Sequence, residues 1–308
     1  MKVIVTGATG LIGKPLCGLL LEAGHQVVVF SRDAAKARAA LGAKVESLAW
    51  GAQAGPEWKT ALGTADTVIH LAGESVAGQR WDDAFKEKIR RSRVETTRSL
   101  VEAMGQAERK PGAFVCASAV GWYGDRKDEL LDEASPPGSD FLAQVCKEWE
   151  AEAQKAEALG VRVAQLRIGV VLGREGALEK MLYPLPLHVS PWKLGLGGPL
   201  GNGRQWMPWV HLDDVAGLFF RAATDGAFSG PINVAAPNPV TNAQFSHALG
   251  RALNRPSFAS VPAFALKAIL GEFAEVLLGG QHLKPSRAIE RGYMFRYSEL
   301  EAALKSIL

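Results

Sequence analysis

Cysteine is scarce: Cys17, Cys116 and Cys146 stand far apart in 308 residues and form no C-x-x-C pair. That spacing argues against a disulfide framework and fits reduced, intracellular thiols. Long apolar runs are missing too. The longest uncharged stretch, residues 226–250, is interrupted by Pro, Asn, Ser, Gln and His, so it is not a membrane span. Neither charge sign dominates, since 35 Lys and Arg against 32 Asp and Glu leave +3. So small an excess gives no reason to expect a nucleic-acid or membrane partner. Six histidines (25, 70, 188, 211, 247 and 282) are scattered without metal-ligand spacing, and no metal is expected. A strand pattern begins at Lys2, so no leader peptide is expected, and the chain reads as a cytoplasmic protein.

What is present is an ordinary globular balance, 47% hydrophobic and 22% charged. Short apolar runs at 3–6, 26–30, 45–50, 66–72, 113–117 and 161–168 read as strands. They are nearly continuous rather than alternating, as parallel strands covered on both faces are. Helical patterns separate them, at 11–23 and in the long segments 81–104 and 140–159. The order predicts an α/β fold, a Rossmann-type doubly wound parallel sheet. After about Leu172 the texture changes: 183–209 is rich in Pro, Gly and Trp, and helical patterns resume at 213–224, 241–253, 263–279 and from Ser298. The expected division is a nucleotide-binding domain over 1–172 with returning segments from 210–237, and a mixed, mainly helical substrate-side part over 173–308 with a C-terminal helical domain at about 258–305.

The sharpest signal is Gly7-Ala8-Thr9-Gly10-Leu11-Ile12-Gly13, a glycine-rich turn between the first strand and first helix. Gly7 permits the tight turn, Gly10 lets backbone approach a pyrophosphate, and Gly13 lets helix and sheet pack. The helix N-terminus then offers N–H groups and partial positive charge to the phosphates. At the end of strand 2, where NAD sites carry an acidic residue, the chain has Ser31-Arg32. A guanidinium pairs with a ribose 2′-phosphate that a carboxylate would repel, so NADP(H) is the expected cofactor. Asp33 follows, but its side chain should point elsewhere. The alternative for Arg32 is a solvated surface cation.

With these residues placed, the chain resembles the extended short-chain dehydrogenase/reductases, and within them an atypical "epimerase family" branch. The segments carrying the resemblance include Leu71-Ala72-Gly73-Glu74, Arg80-Trp81, Gly121-Trp122-Tyr123-Gly124, Cys146-Lys147-Glu148-Trp149-Glu150, Gly169-Val170-Val171-Leu172-Gly173 and 203–211. The stretch from about Val261 to Leu304 resembles the C-terminal domain of unknown function attached to that branch. The resemblance implies further cofactor contacts from Leu71, Ala72, Gly73, Lys88, Arg93, Ser118 and Val171. For Lys88 and Arg93 a solvated basic helix face is the competing reading.

Active members of this superfamily use a Tyr-x-x-x-Lys pair on one helix, whose i, i+4 spacing keeps both groups on one face. Here the resemblance puts Leu142 and Cys146 at those positions, with Lys147 one residue, about 100°, away. The catalytic residues are therefore unassigned. Ser118 or Ala119 takes the Ser position, and Tyr123, Cys146 and His211 are the remaining candidates, each with a packing role as the alternative. Glu74, Arg80, Arg204, Gln205, Trp206 and Trp209 are candidates for the substrate side, where Arg and Trp suit a ligand with an anionic group and a flat or sugar-like face. Their alternative is a seam docking the second part on the first. Two functions follow: an NADP(H)-dependent oxidoreductase or epimerase acting on a small polar compound such as a nucleotide-sugar, or an NADP(H)-binding regulatory or structural protein without chemistry.

Overall fold

The computed structural model describes every residue except 52–53 and 183–189, so part of the loop segment expected at 183–209, with His188, lies outside the described residues. Five strands and five helices build the first half: β1 (Lys2–Thr6), α1 (Gly13–Glu22), β2 (Gln26–Ser31), α2 (Ala34–Leu41), β3 (Glu46–Ala49), α3 (Glu57–Leu62), β4 (Thr67–His70), α4 (Asp83–Gln106), β5 (Ala113–Ala119) and α5 (Phe141–Gln154). Strands Arg162–Ile168 and Gly230–Val234 complete one seven-stranded parallel sheet. From edge to edge it runs Gly230–Val234, Arg162–Ile168, β5, β4, β1, β2, β3. This is the doubly wound order, reversing between β1 and β4, and such sheets bind ligands outside the carboxyl ends of the strands at that reversal.

Strand burial explains the continuous apolar runs. Val3, Ile4, Val5, Val28, Val68, Ile69, Phe114 and Val115 are all solvent-free, being covered from both faces. α1 buries Leu16, Cys17 and Leu20 and packs beside helix Leu212–Thr224. It stops at Gly24, whose φ of +77° reverses the chain at little cost for glycine. α4 packs on α5. Asp82 caps α4 by accepting from the Phe85 N–H at 2.7 Å, and Asp140 caps α5 through the Ala143 N–H.

A second core gathers Trp209, Phe245, Leu249, Leu300 and Leu304, joining helix Asn242–Ala252 to the C-terminal helix Leu300–Ile307. The helical pattern at 263–279 resolves into two helices, Ala263–Leu270 and Phe273–Leu278, because Gly271 takes φ +62° between them. The C-terminal stretch returns to the first half at two places. His282–Leu283 pairs in parallel with Leu130–Leu131. Nearer the sheet's opening, Arg80 donates to the Ala268 carbonyl, Lys86 pairs with Glu272 at 2.8 Å, and the rings of Trp81 and Phe273 lie 5.5 Å apart. Among the described residues no helix is long and apolar enough to cross a membrane.

Candidate functional site

The three glycines of the β1–α1 turn are there for three separate reasons. Gly7 has φ +67°, and a Cβ there would stand 2.7 Å from the Leu71 carbonyl carbon. At Gly13 a Cβ would lie 2.4 Å from the Gly7 oxygen, so only glycine lets the helix begin against the turn. A Cβ on Gly10 would meet only the Gly7 oxygen, at 3.2 Å, and otherwise face open space. That open space is a cavity of about 910 Å³ bordered by Gly7, Thr9, Gly10, Ser31, Arg32, Leu71, Ala72, Gly73 and Glu74. Ile12 is the N-cap of α1, and Leu11 leans toward Gly176 and borders a smaller cavity of about 370 Å³.

Behind the turn, hydrogen bonds fix the end of β4. The Thr6 hydroxyl accepts from the Leu71 and Ala72 N–H groups, both at 3.2 Å. With its lone pairs so used, its proton goes to His70 Nδ1 at 2.7 Å. His70 then carries its proton on Nε2, 3.2 Å from the Thr96 hydroxyl, which donates to the Ser92 carbonyl at 2.7 Å. Burial, aided by the nearby Arg93 charge, pushes the His70 pKa down to about 3, so the ring is neutral. Arg93 serves this same turn: its guanidinium donates to the Glu74 carbonyl at 2.9 Å and the Ile89 carbonyl at 3.1 Å, and it packs under Gly73. Lys88 is exposed and pairs with the Glu74 carboxylate at 2.9 Å.

At the far side of the cavity, Ser31 ends β2. Its hydroxyl donates to the Asp33 carbonyl and accepts from the Asp33 N–H. The Asp33 carboxylate caps α2, accepting from the Lys36 N–H at 2.9 Å, and is thereby turned into its own helix. Arg32 borders the cavity, exposed and without an ion-pair partner among the described residues.

At the carboxyl end of β5 the candidates Ser118 and Tyr123 join a buried polar network whose other members, Glu150, Arg167, Asn233 and Glu133, sequence inspection missed. Ser118 donates to Glu150 at 2.6 Å, and Glu150 is gripped by Arg167 through two bonds of 2.9 Å. Arg167 also donates to the Tyr123 hydroxyl at 2.9 Å, and Tyr123 donates to Asn233 at 2.7 Å. Glu133 closes the group by accepting from the Asn233 N–H. Burial alone would lower the Arg167 pKa, but the Glu150 carboxylate raises it, while burial pushes Tyr123 up to about 12. The guanidinium lies 4.0 Å from the centre of the Trp122 ring. One signal was available: Arg167 interrupts an apolar central strand, and Glu150 faces inward on α5, and buried charges are paired.

Leu142 and Cys146 share a face of α5 directed at Gly121, where a Cβ would lie 3.2 Å from Leu142 Cβ and 3.9 Å from Cys146 Sγ. Burial pushes the Cys146 thiol up to about 12. Lys147 is exposed.

The other candidates are dispersed. His211 caps helix Leu212–Thr224, accepting from the Asp213 N–H, and its Nε2 lies 3.2 Å from the Ser306 hydroxyl. Its ring stacks on Tyr297 and burial lowers its pKa, so it holds the C-terminal helix. Trp209 is 1% exposed and donates to the Asn238 carbonyl, which makes it a core residue. Gln205 donates to the Leu200 and Leu277 carbonyls, Trp206 stacks on His282 at 3.8 Å, and Arg204 is exposed. Val171 sits in strand Val170–Leu172, paired with Trp209–His211. Arg80 points to the C-terminal helices rather than lining the large cavity.

A glycine turn at the reversal of a doubly wound sheet defines a Rossmann-type dinucleotide-binding fold. The profile of the NAD dependent epimerase/dehydratase family matches residues 3–235, and a domain of unknown function, DUF1731, matches 261–307. The chain belongs to the NAD dependent epimerase/dehydratase family. It is 42% identical over 311 residues to the chloroplastic SDR39U1 homolog of Arabidopsis thaliana, across 100% of this chain and 87% of that protein. Human epimerase family protein SDR39U1 is 36% identical over 313 residues, with full coverage of both chains. The crystal structure of human SDR39U1 with NADPH has a TM-score of 0.85 at 34% identity, covering 100% of this chain and 99% of that one. UDP-glucuronic acid 4-epimerase from Bacillus cereus, at 18% identity and a TM-score of 0.75 over 100% and 98% of the two chains, shares the fold.

Proposed function

We propose that this protein binds NADP(H) in the cavity at the β1–α1 turn and acts as an oxidoreductase or epimerase-like enzyme on a small polar compound, without a Tyr-x-x-x-Lys pair. The observation that carries it is the pairing of an open Gly10 with Arg32, while the neighbouring Asp33 carboxylate is withdrawn into a helix cap. Glycine backbone and the α1 N-terminus would hold the diphosphate, and Ser31 with Arg32 the 2′-phosphate. The bound cofactor would supply hydride chemistry. The NADPH-bound human SDR39U1 supports this reading. We assign the cofactor to residues 1–172 with the returning segment 210–237, and the substrate side to 173–308. A cytoplasmic location fits the three unbonded, buried cysteines. Calorimetric titration of Arg32→Ala should show NADP⁺ affinity falling about 10- to 100-fold with little change for NAD⁺. Equal losses for both would remove the 2′-phosphate assignment.

One observation favours the second reading, an NADP(H)-binding regulatory or structural protein. Ser118, Tyr123 and Cys146 are buried, with their hydrogen-bonding groups engaged inside the protein. A broad panel of carbonyl and sugar-nucleotide compounds, followed both by NADPH absorbance and by chromatography of the products, separates the two readings, because an epimerase returns the hydride and consumes no net cofactor. Tight cofactor binding with no turnover across the panel selects the second.

A further inference from the structure

The 2′-phosphate end of the cavity carries a second cation. Lys59, on α3, borders the same cavity as Ser31 and Arg32. Aromatic packing holds it near the end of β2: its Nζ lies 5.7 Å from the Trp58 ring centre, and that buried indole lies edge-on to Phe30 at 6.0 Å, two residues before Arg32. The Trp50 N–H donates to the Ser31 carbonyl at 2.9 Å, tying the end of β3 to the same place.

Three carboxylates lie near this end, and none of them pairs with Arg32 or Lys59 among the described residues. Asp33 caps α2. Glu57, two positions before Lys59 and hence on another helix face, lies over Gly55. Glu95, across the cavity on α4, pairs with Arg91 at 2.9 Å. Neither Arg32 nor Lys59 has an ion-pair partner among the described residues, so two unpaired like charges border one concave surface, whose Glu74 and Glu95 carboxylates are taken by Lys88 and Arg91. That arrangement suits a dianion, which relieves the repulsion between them.

We propose that Lys59 is a specificity-determining residue that binds the 2′-phosphate of NADP(H) together with Arg32. This rests on the dinucleotide reading above. Arg32 grips the phosphate with a planar fork, and Lys59 acts as a point charge on a flexible stem, reaching from α3 in the β3–β4 connection. The two cations act on the phosphate alone, so NAD⁺ gains nothing from Lys59.

The test is calorimetric titration of the full chain with NADP⁺, NAD⁺ and 2′,5′-ADP, comparing wild type with Lys59→Met and Lys59→Arg. Methionine keeps the stem over Trp58 and removes the charge; unchanged thermal unfolding shows that the fold is retained. The expected result for Lys59→Met is about tenfold weaker NADP⁺ and 2′,5′-ADP, with NAD⁺ within about twofold and Lys59→Arg close to wild type. The gap between wild type and Lys59→Met should narrow as salt is raised. Unchanged NADP⁺ affinity in Lys59→Met overturns the assignment while leaving the dinucleotide reading intact, and so does an equal loss for NAD⁺. Wild-type protein that bound neither dinucleotide would overturn both.

Discussion

Gly7 passes so close to Leu71 that any side-chain carbon on the glycine would overlap the Leu71 carbonyl, at 2.7 Å. At Gly10, three residues on, a side-chain carbon would touch only the Gly7 oxygen, at 3.2 Å. The two glycines therefore separate folding from binding. Gly7→Ala combines a left-handed backbone with a backbone clash and should lower stability by roughly 1–3 kcal/mol or more. Gly10→Ala should cost less, about 1 kcal/mol, yet bind NADPH much more weakly, because its methyl occupies the approach to the diphosphate. Urea denaturation and calorimetry on the pair check this; a Gly10→Ala protein with native affinity would show that the phosphate does not lie there.

His70 makes stability depend on acid. Its folded-state pKa of about 3 lies below the ordinary 6.5, so the unfolded chain binds a proton that the native protein refuses. Its contribution is fully present above pH 6.5 and declines as pH falls toward 3, with a slope approaching about 1.4 kcal/mol per pH unit for one proton. Denaturation curves from pH 7 to 4 should fall less steeply in His70→Asn than in wild type. Parallel slopes would mean that His70 is protonated in the native state.

The Glu150–Arg167 pair should be expensive to break and cheap to replace. Removing one partner strands the other charge where both side chains are 3% exposed. Glu150→Gln is expected to cost about 3–5 kcal/mol, and the double replacement Glu150→Met with Arg167→Met much less than the sum of the single changes. A double-mutant cycle in urea measures the coupling; additive losses would contradict the geometry.

Cys146 should be chemically quiet. It is 4% exposed, and its thiol is held up at about 12. Native protein at pH 8 should resist alkylation there until it unfolds, and Cys146→Ala should leave NADPH affinity within about twofold of wild type, since the thiol only packs. Rapid labelling of the folded protein, followed by mass spectrometry, would place the thiol in an open site.

Much of this was legible in the chain itself. Continuous apolar runs located β1, β2, β4 and β5, because strands buried on both faces leave no polar alternation to confuse them. The glycine turn and Ser31-Arg32 pointed to the cavity, because local backbone geometry demands those residue types. Strand Gly230–Val234 was not recognised: it is short, opens with Gly-Pro, and carries Asn233, whose amide is satisfied only by Tyr123 and the Lys284 carbonyl. The Ser118–Glu150–Arg167 network, beyond Ser118 itself, escaped for the same reason. Its members come from three elements, and nothing local in sequence records who will neutralise a buried charge. For Trp209 and His211 the chain left a site role and a packing role open; Trp209 fills the second core and His211 fastens the C-terminal helix.

Arg80, Trp81 and Lys86 clasp the helices Ala263–Leu270 and Phe273–Leu278 directly downstream of Glu74, which borders the large cavity. Those two helices thus buttress the segment that follows one wall of that cavity, and a change that loosens them strips the segment of its outer support.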